Sequence, residues 1–381
     1  MKIGIDISQT AFPGSGVARY TTSLISALVE YDQDNEYVFF YSSLRVPLDK
    51  NIKELIRAPH VLKEFRFPPS LLSFMWNTMC ILPIEYFIGP VDIFMSSDWT
   101  QPPTKRAIKI TTIHDMVIYV NPETTTTKTK MNVESLTVSP NIYSQQKNRH
   151  KIIKKESIQV FVDSLFTKTE TEKYLGLKSE SLHLLYPAVE NSTHTSTWDV
   201  INNKFKIATP YILTVGKREP RKNIDALIEA YRISGIDDAQ LIIVGDQGWG
   251  ENSTENVKGV KFLGFVSDDD LAALYQHAEF FVFPSIYEGF GYPVIEAMGY
   301  GCPVATSDTS SLAEIADNSA LMFNPHDVEG IKKALNELHN SKELRDDLIK
   351  KGSERYKSFS RKVFAENFVK IVQAIYHDNR N

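Results

Sequence analysis

Cysteine is almost missing from this chain. Cys80 and Cys302 are the only two in 381 residues, each in an apolar stretch, which excludes a disulfide scaffold and a zinc site and fits a reducing compartment. A large excess of one charge is also missing. The net charge of −5 at pH 7 excludes the basic footprint of a nucleic-acid binder. What imbalance exists is internal: residues 1–190 carry 21 Lys/Arg against 20 Asp/Glu, and the remainder 21 against 27. No long apolar run is unbroken. Leu71–Gly89 is nearly free of charge, but Asn77, Pro83 and Glu85 interrupt it; it is short for a membrane span and reads as a buried or interfacial helix. Met1–Ile7 reads as a strand rather than a charged-then-apolar leader, so a cytoplasmic location is expected. HExxH, paired CxxC, Gly-x-Ser-x-Gly and Walker motifs are absent. That removes motif support for metal hydrolysis, acyl transfer and P-loop chemistry, and neither a metal nor a cofactor is expected.

What is present is an alternation of short β-branched or aromatic runs with longer helical patterns, the signature of parallel sheets wrapped by helices. In the first half the strand candidates are Lys2–Ile7, Tyr37–Ser42, Val61–Phe67, Val91–Ser97, Ile108–His114 and Ile158–Ser164. In the second they are Tyr211–Gly216, Gln240–Gly245, Val260–Phe265, Phe280–Ser285, Pro303–Ser307 and Leu321–Asn324. Runs such as Phe280-Phe281-Val282-Phe283 suit strands covered on both faces. Two doubly wound α/β domains are expected, 1–190 and 204–359, joined by the Ser/Thr/Asn-rich linker Glu190–Asn203. Thr124–Lys130 reads as a mobile loop and Ser360–Tyr376 as an amphipathic helix.

Four constellations could carry chemistry. Glu288-Gly-Phe-Gly-Tyr-Pro-Val-Ile-Glu296 follows a buried strand, with Pro293 placed as the first residue of a helix and Glu296 expected in its first turn. Free N–H groups at that edge suit a phosphate. Gly216-Lys217-Arg218-Glu219-Pro220-Arg221-Lys222-Asn223 places four cations before a helix N-terminus, where cations are unfavourable unless an anion joins them. Gly14-Ser15-Gly16-Val17-Ala18-Arg19 lets a backbone loop approach a ligand, but Arg19 replaces the third glycine of a dinucleotide fingerprint and no acidic residue ends the second strand. His114-Asp115 ends the strand Ile108–Ile113. A lone glutamate pair or a lone histidine is more often structural; the glycines and the cation loop tip the balance.

Together these motifs resemble family 4 of the retaining glycosyltransferases, over nearly the whole chain. Glu288–Glu296 is similar to the family's E-x7-E signature, the Gly216–Asn223 segment to its phosphate loop, and Phe161-Val-Asp-Ser-Leu-Phe-Thr-Lys to the turn near the end of its first domain. The resemblance implies a GT-B fold, two Rossmann-like domains facing each other across a cleft, with the helix after residue 360 packing back on the first. It implies a nucleotide-sugar donor held by the second domain. Glu296 would take the ribose hydroxyls and Glu288 the transferred sugar, with Lys217 and Lys222 neutralising the diphosphate. Amides around Phe290, Gly291, Tyr292 and Gly16 would meet phosphate or sugar. Gly264-Phe265-Val266 would frame the base, Gly245 and Asp246 would line the site, and His114 would sit near the transferred sugar. Many relatives carry Arg directly after the glycine; here Lys217 precedes Arg218, and either is a candidate for the phosphate.

His114, Glu288 and Lys222 are therefore the expected catalytic residues of a metal-independent hexosyltransferase. The loop Glu-Pro-Arg-Lys-Asn resembles that of bacterial surface-polysaccharide mannosyltransferases, which implies GDP-mannose first and a UDP-sugar second. The expected acceptor is a glycan or a lipid-linked glycan. Lys147–Lys155 with Leu71–Gly89 would then give a surface for peripheral membrane contact, beside the plain alternative of a solvated helix face and a core helix. A nucleotide-sugar epimerase, a phosphorylase on the same fold and a non-catalytic nucleotide-sugar-binding scaffold are the competing readings.

Overall fold

The computed structural model describes residues 1–120, 142–156, 158–192, 195–245 and 257–380. The Thr124–Lys130 segment and Asp246 lie outside them. The chain divides into two compact units, Met1–Ala188 with Arg361–Asn381, and Val189–Ser360.

Among the described residues the first unit holds seven parallel strands: β1 (Lys2–Asp6), β2 (Glu36–Ser42), β3 (Val61–Phe65), β4 (Ile93–Met95), β5 (Ile108–Ile113), β6 (Gln159–Val162) and β7 (Leu182–Leu184). Their order is β3-β2-β1-β4-β5-β6-β7. The last was not expected, because three residues after a Ser-rich turn are too few to show a pattern. Helices α1 (Gly16–Tyr31), α2 (Lys50–Leu55), α3 (Pro69–Ser73), α4 (Glu85–Ile88), α5 (Val117–Val120), α6 (Ile142–Glu156) and α7 (Leu165–Leu175) connect them. Side chains alternate across the pleat. Tyr37, Phe39 and Tyr41 of β2 pack with α1 on one face. Val38 and Phe40 pack with Leu72, Trp76, Ile84 and Ile88 on the other.

Leu71–Gly89 is not one helix. It is α3, a π-helical turn at Phe74–Thr78, and α4. Cys80 and Leu82 adopt left-handed φ of 52° and 58°, and Pro83 disfavours a helical conformation at the residue before it. Among the described residues no helix is long and apolar enough to cross a membrane.

The second unit contains α8 (Trp198–Phe205), β8 (Tyr211–Val215), α9 (Ile224–Ser234), β9 (Gln240–Val244), β10 (Val260–Gly264), α10 (Asp268–His277) and β11 (Phe280–Phe283). It continues with α11 (Tyr292–Gly299), β12 (Val304–Ser307), α12 (Ser310–Ala316), β13 (Leu321–Phe323), α13 (Val328–Asn340) and α14 (Lys342–Lys357). The strand order is β10-β9-β8-β11-β12-β13, parallel throughout. Helices cover both faces: Leu227 and Leu335 pack with Ile212 and Val282, while Tyr275 meets Phe281 from the opposite side.

The stretch expected to be a linker, Glu190–Asn203, is tied to this unit. Asn191 N donates to Tyr356 Oη at 3.1 Å, Ser192 N to Tyr300 Oη at 2.8 Å and Ser196 Oγ to Asp270 at 2.7 Å. Trp198, Ile201 and Phe205 give α8 an apolar stripe that the polar composition hid. The closing helix, α15 (Arg361–Asp378), belongs to the first unit. It lies along α1, where Phe364, Phe368 and Val372 are buried.

Candidate functional site

In the second unit the chain winds outward from β8 toward β9 and β10 on one side, and from β11 toward β13 on the other. The loops leaving β8 and β11 therefore flank the topological switch point, where open parallel sheets bind ligands. Gly216 N donates to Val244 O at 2.8 Å. Gly245 has φ +136°, and a Cβ there would sit 2.3 Å from Gly216 O. Only glycine allows these strand ends to lie backbone to backbone.

Beyond Gly216 the cations take different tasks. Lys217 is exposed. Arg218 is buried, its Nε and Nη2 donating to Asp225 Oδ1 at 3.0 and 2.7 Å. Lys217 is thus the solvent-reaching member of that pair. Pro220–Lys222 forms a 3-10 turn, and Asn223, with left-handed φ of 56°, leads the chain into α9.

The loop after β11 folds onto that turn. Ile286 N donates to Arg221 O at 2.7 Å. Glu288 N donates to Ser310 Oγ at 3.1 Å, and Ser311 Oγ donates to Glu288 O at 2.9 Å. This places the Glu288 carboxylate between two cations. Lys222 Nζ is 2.6 Å from Oε1 and Arg221 Nη1 is 3.1 Å from Oε2; Ser285 Oγ donates to Oε1 at 2.5 Å. Burial opposes ionisation of Glu288, but Lys222 and Arg221 outweigh it and hold the carboxyl below its usual range. Burial likewise lowers the Lys222 ammonium from its ordinary value. Arg221 had no individual role in the sequence reading; only its place among four clustered cations pointed to it.

Helix α11 starts at Tyr292, with Pro293 second, because Gly291 at φ +112° provides the N-cap. A Cβ at Gly291 would come within 2.6 Å of Leu312 Cδ2. Glu296 is consequently the fifth residue of the helix, in the second turn rather than the expected first, and it is buried. Phe290 is buried beside the rings of Tyr292 and Phe359, at centroid distances of 5.1 and 5.5 Å. After β10, Phe265 is 81% exposed whereas Val266 is buried, so Phe265 is the side chain of that pair available to stack on a base.

The first unit carries the other expected residues. Gly16 opens α1, behind the N-cap of Ser15, whose Oγ accepts from Ala18 N at 3.2 Å. His114, just past β5, lies 2.7 Å through Nδ1 from Asp163 Oδ2, and its ring meets Tyr20 edge-on at 4.7 Å. Asp115 accepts from Val117 N at 2.9 Å. Asp163 was visible only as part of a turn motif; nothing marked it as the partner of a histidine 49 positions earlier.

Burial would lower the His114 pKa, but the Asp163 charge and hydrogen bond prevail and raise it to about 9. A raised folded value means the stabilisation is complete below the unfolded pKa of roughly 6.5 and is lost as pH climbs through the folded one. Denaturant titrations should therefore show the first unit weakening between pH 6.5 and about 9, by on the order of 2 kcal/mol. His114→Gln should flatten that slope.

With this geometry in view, residues 199–355 match the family model described as Glycosyl transferases group 1. O-antigen chain mannosyltransferase B of Escherichia coli is 36% identical over 160 residues, 39% of this chain and 42% of that protein. O-antigen chain mannosyltransferase RfbU of Salmonella typhimurium is 32% identical over 182 residues, 46% of this chain and 49% of that protein. The chain thus spans less than half the length of either relative. Sucrose-phosphate synthase from Thermosynechococcus elongatus superposes over 99% of this chain and 100% of its own, at 18% identity and a TM-score of 0.71.

Proposed function

We propose that this chain, whose fold is GT-B and whose second unit matches the family model of the group 1 glycosyl transferases, moves a hexose from a nucleoside diphosphate to a hydroxyl of a glycan or lipid-linked acceptor. The observation that carries the reading is the Lys222–Glu288–Arg221 cluster at the switch point. Cleavage of the sugar–phosphate bond puts negative charge on the departing diphosphate. Lys217, Lys222 and the loop amides supply preorganised positive potential there, so no metal is needed.

The acceptor oxygen bonds to the anomeric carbon on the face the diphosphate leaves, through an oxocarbenium-like state, with retention of configuration. The acceptor proton passes to the leaving phosphate, and the nucleoside diphosphate is released. Glu288 takes a hydroxyl of the transferred sugar, Glu296 the ribose and Phe265 the base. Mannose from GDP-mannose is the first choice of donor; the names of the two O-antigen relatives support the mannose.

A thermal-shift screen with GDP, UDP and their sugars tests the donor. GDP-mannose at a hundredfold over its Kd should add about 2.7 kcal/mol of stability. A shift with UDP-sugars alone would move the assignment to them, and no shift with any nucleotide would remove the reading. Transfer should persist in excess EDTA.

Peripheral contact with an anionic membrane, on the cytoplasmic side, completes the proposal. Leu71, Phe74, Met79, Ile81, Leu82 and Tyr86 are exposed. Helix α6 packs against the π-helical turn of the same segment and exposes Lys151, Lys154 and Lys155. Two other members of that basic stretch, Arg149 and His150, are buried and so take no part in such a surface. Apolar side chains beside lysines suit a charged bilayer interface. Flotation with phosphatidylglycerol vesicles should recover the protein at low salt and release it at high salt; no salt-sensitive binding counts against the contact.

A further inference from the structure

We propose that Arg221 is a positioning residue that keeps Glu288 oriented and ionised when Lys222 turns from it to the donor diphosphate. The inference rests on the donor-site reading above. Two cations share one carboxylate that is only 12% exposed, one on each oxygen: Lys222 Nζ on Oε1 at 2.6 Å and Arg221 Nη1 on Oε2 at 3.1 Å. Their mobility differs. Lys222 is a point charge on a flexible stem, free to exchange one anion for another.

Arg221 is stapled in place at both ends. Its backbone oxygen accepts Ile286 N at 2.7 Å. Its guanidinium donates through Nε to Glu219 Oε2 at 3.1 Å and through Nη1 to Tyr287 O at 3.4 Å as well as to Glu288. A planar guanidinium held on three oxygens of two loops cannot follow a phosphate without releasing the Glu288 loop.

Among the described residues no third cation pairs with Glu288. The β8–α9 turn presents Arg221 and Lys222 to it, with Glu219 behind Arg221. The end of β11 presents Ser285 and α12 the hydroxyls of Ser310 and Ser311, all uncharged. Once Lys222 is drawn to the diphosphate, a largely buried carboxylate without Arg221 would take up a proton and lose the charge-assisted hydrogen bond it offers a sugar hydroxyl.

The test combines kinetics with a direct view of the carboxyl. In Arg221→Gln, kcat should fall by roughly 10–50-fold with donor KM within about threefold, and the acid limb of the kcat–pH profile should move up by about one unit. Arg221→Lys should restore the limb but only part of the rate. Selective 13C-glutamate labelling, with Glu288→Gln to assign the signal, should show Glu288 titrating higher in Arg221→Gln. An unmoved Glu288 titration in a variant that melts like wild type overturns the proposal, as does a raised donor KM at unchanged kcat, which would make Arg221 a donor contact. If wild type transfers sugar from no nucleotide, the proposed function has failed, while the carboxyl titration still decides the role of Arg221.

Discussion

Lys222→Met should lower the proposed sugar transfer by roughly a hundred- to a thousandfold, the loss seen when one preorganised donor to developing negative charge is removed, and leave the fold intact. Methionine retains the stem that packs about Gly216, where a Cβ added to the glycine would meet Lys222 Cγ and Cδ at 3.5 Å, and deletes only the ammonium. That ammonium sits 2.6 Å from Glu288 Oε1 and 5.0 Å from the Phe283 ring centroid, already stripped of most of its water before any ligand arrives. Having already lost most of its water, the ammonium turns from Glu288 to the diphosphate with little further desolvation. Glu288→Gln should cost a similar factor by a different route: the amide offers an NH2 where two cations expect an oxygen. Circular dichroism and melting curves separate lost chemistry from lost structure. Near-normal turnover in both variants would remove the active-site assignment.

Arg149→Met destabilises the first unit by about 3–5 kcal/mol, the usual cost of removing one partner of a buried ion pair. Arg149 is 0% exposed. Its Nη1 donates to Asp98 Oδ1 at 3.0 Å, and its Nη2 to Thr111 Oγ1 at 2.8 Å and Thr112 O at 2.5 Å, joining α6 to β5 and to the turn after β4. Burial pulls the guanidinium pKa down from its ordinary value and Asp98 pulls it up; methionine keeps the volume but abandons Asp98 and the two threonine acceptors. The melting midpoint should fall by roughly 10 °C, given 2–4 °C per kcal/mol for a unit of this size. A midpoint within about 2 °C of wild type would show that Asp98 finds solvent at little cost, and that the network is dispensable.

Both residues show where sequence reading works and where it stops. The unbroken apolar run at Phe280–Phe283 announced a strand covered on both faces, and the glycines behind it announced a loop entering a helix. Period and composition are local properties, and local properties place loops at strand ends. Pairing is not local. Arg149 stands in a run of lysines and looked like a surface cation, yet it is among the most buried side chains. Lys222 and Arg221 meet Glu288 across 66 and 67 positions, and only the folded β8–β11 adjacency brings them together. Glu296 moved from the first turn to the second because helix entry at Gly291 depends on a left-handed φ and on the space beside Leu312. Neither is written in the spacing of two glutamates.

The return of α15 to the first unit has a consequence for biosynthesis. Phe364, Phe368 and Val372 sit in the same apolar cluster as Ile5 and Phe39, and a fully buried side chain of this kind is worth about 1.5–3 kcal/mol. On the ribosome, the opening 188 residues emerge long before the segment that seals them. The second unit, contiguous in the chain, can finish folding first, while its elder neighbour waits with an uncovered greasy seam. Premature termination anywhere before residue 361 should yield an aggregating product that calls on chaperones.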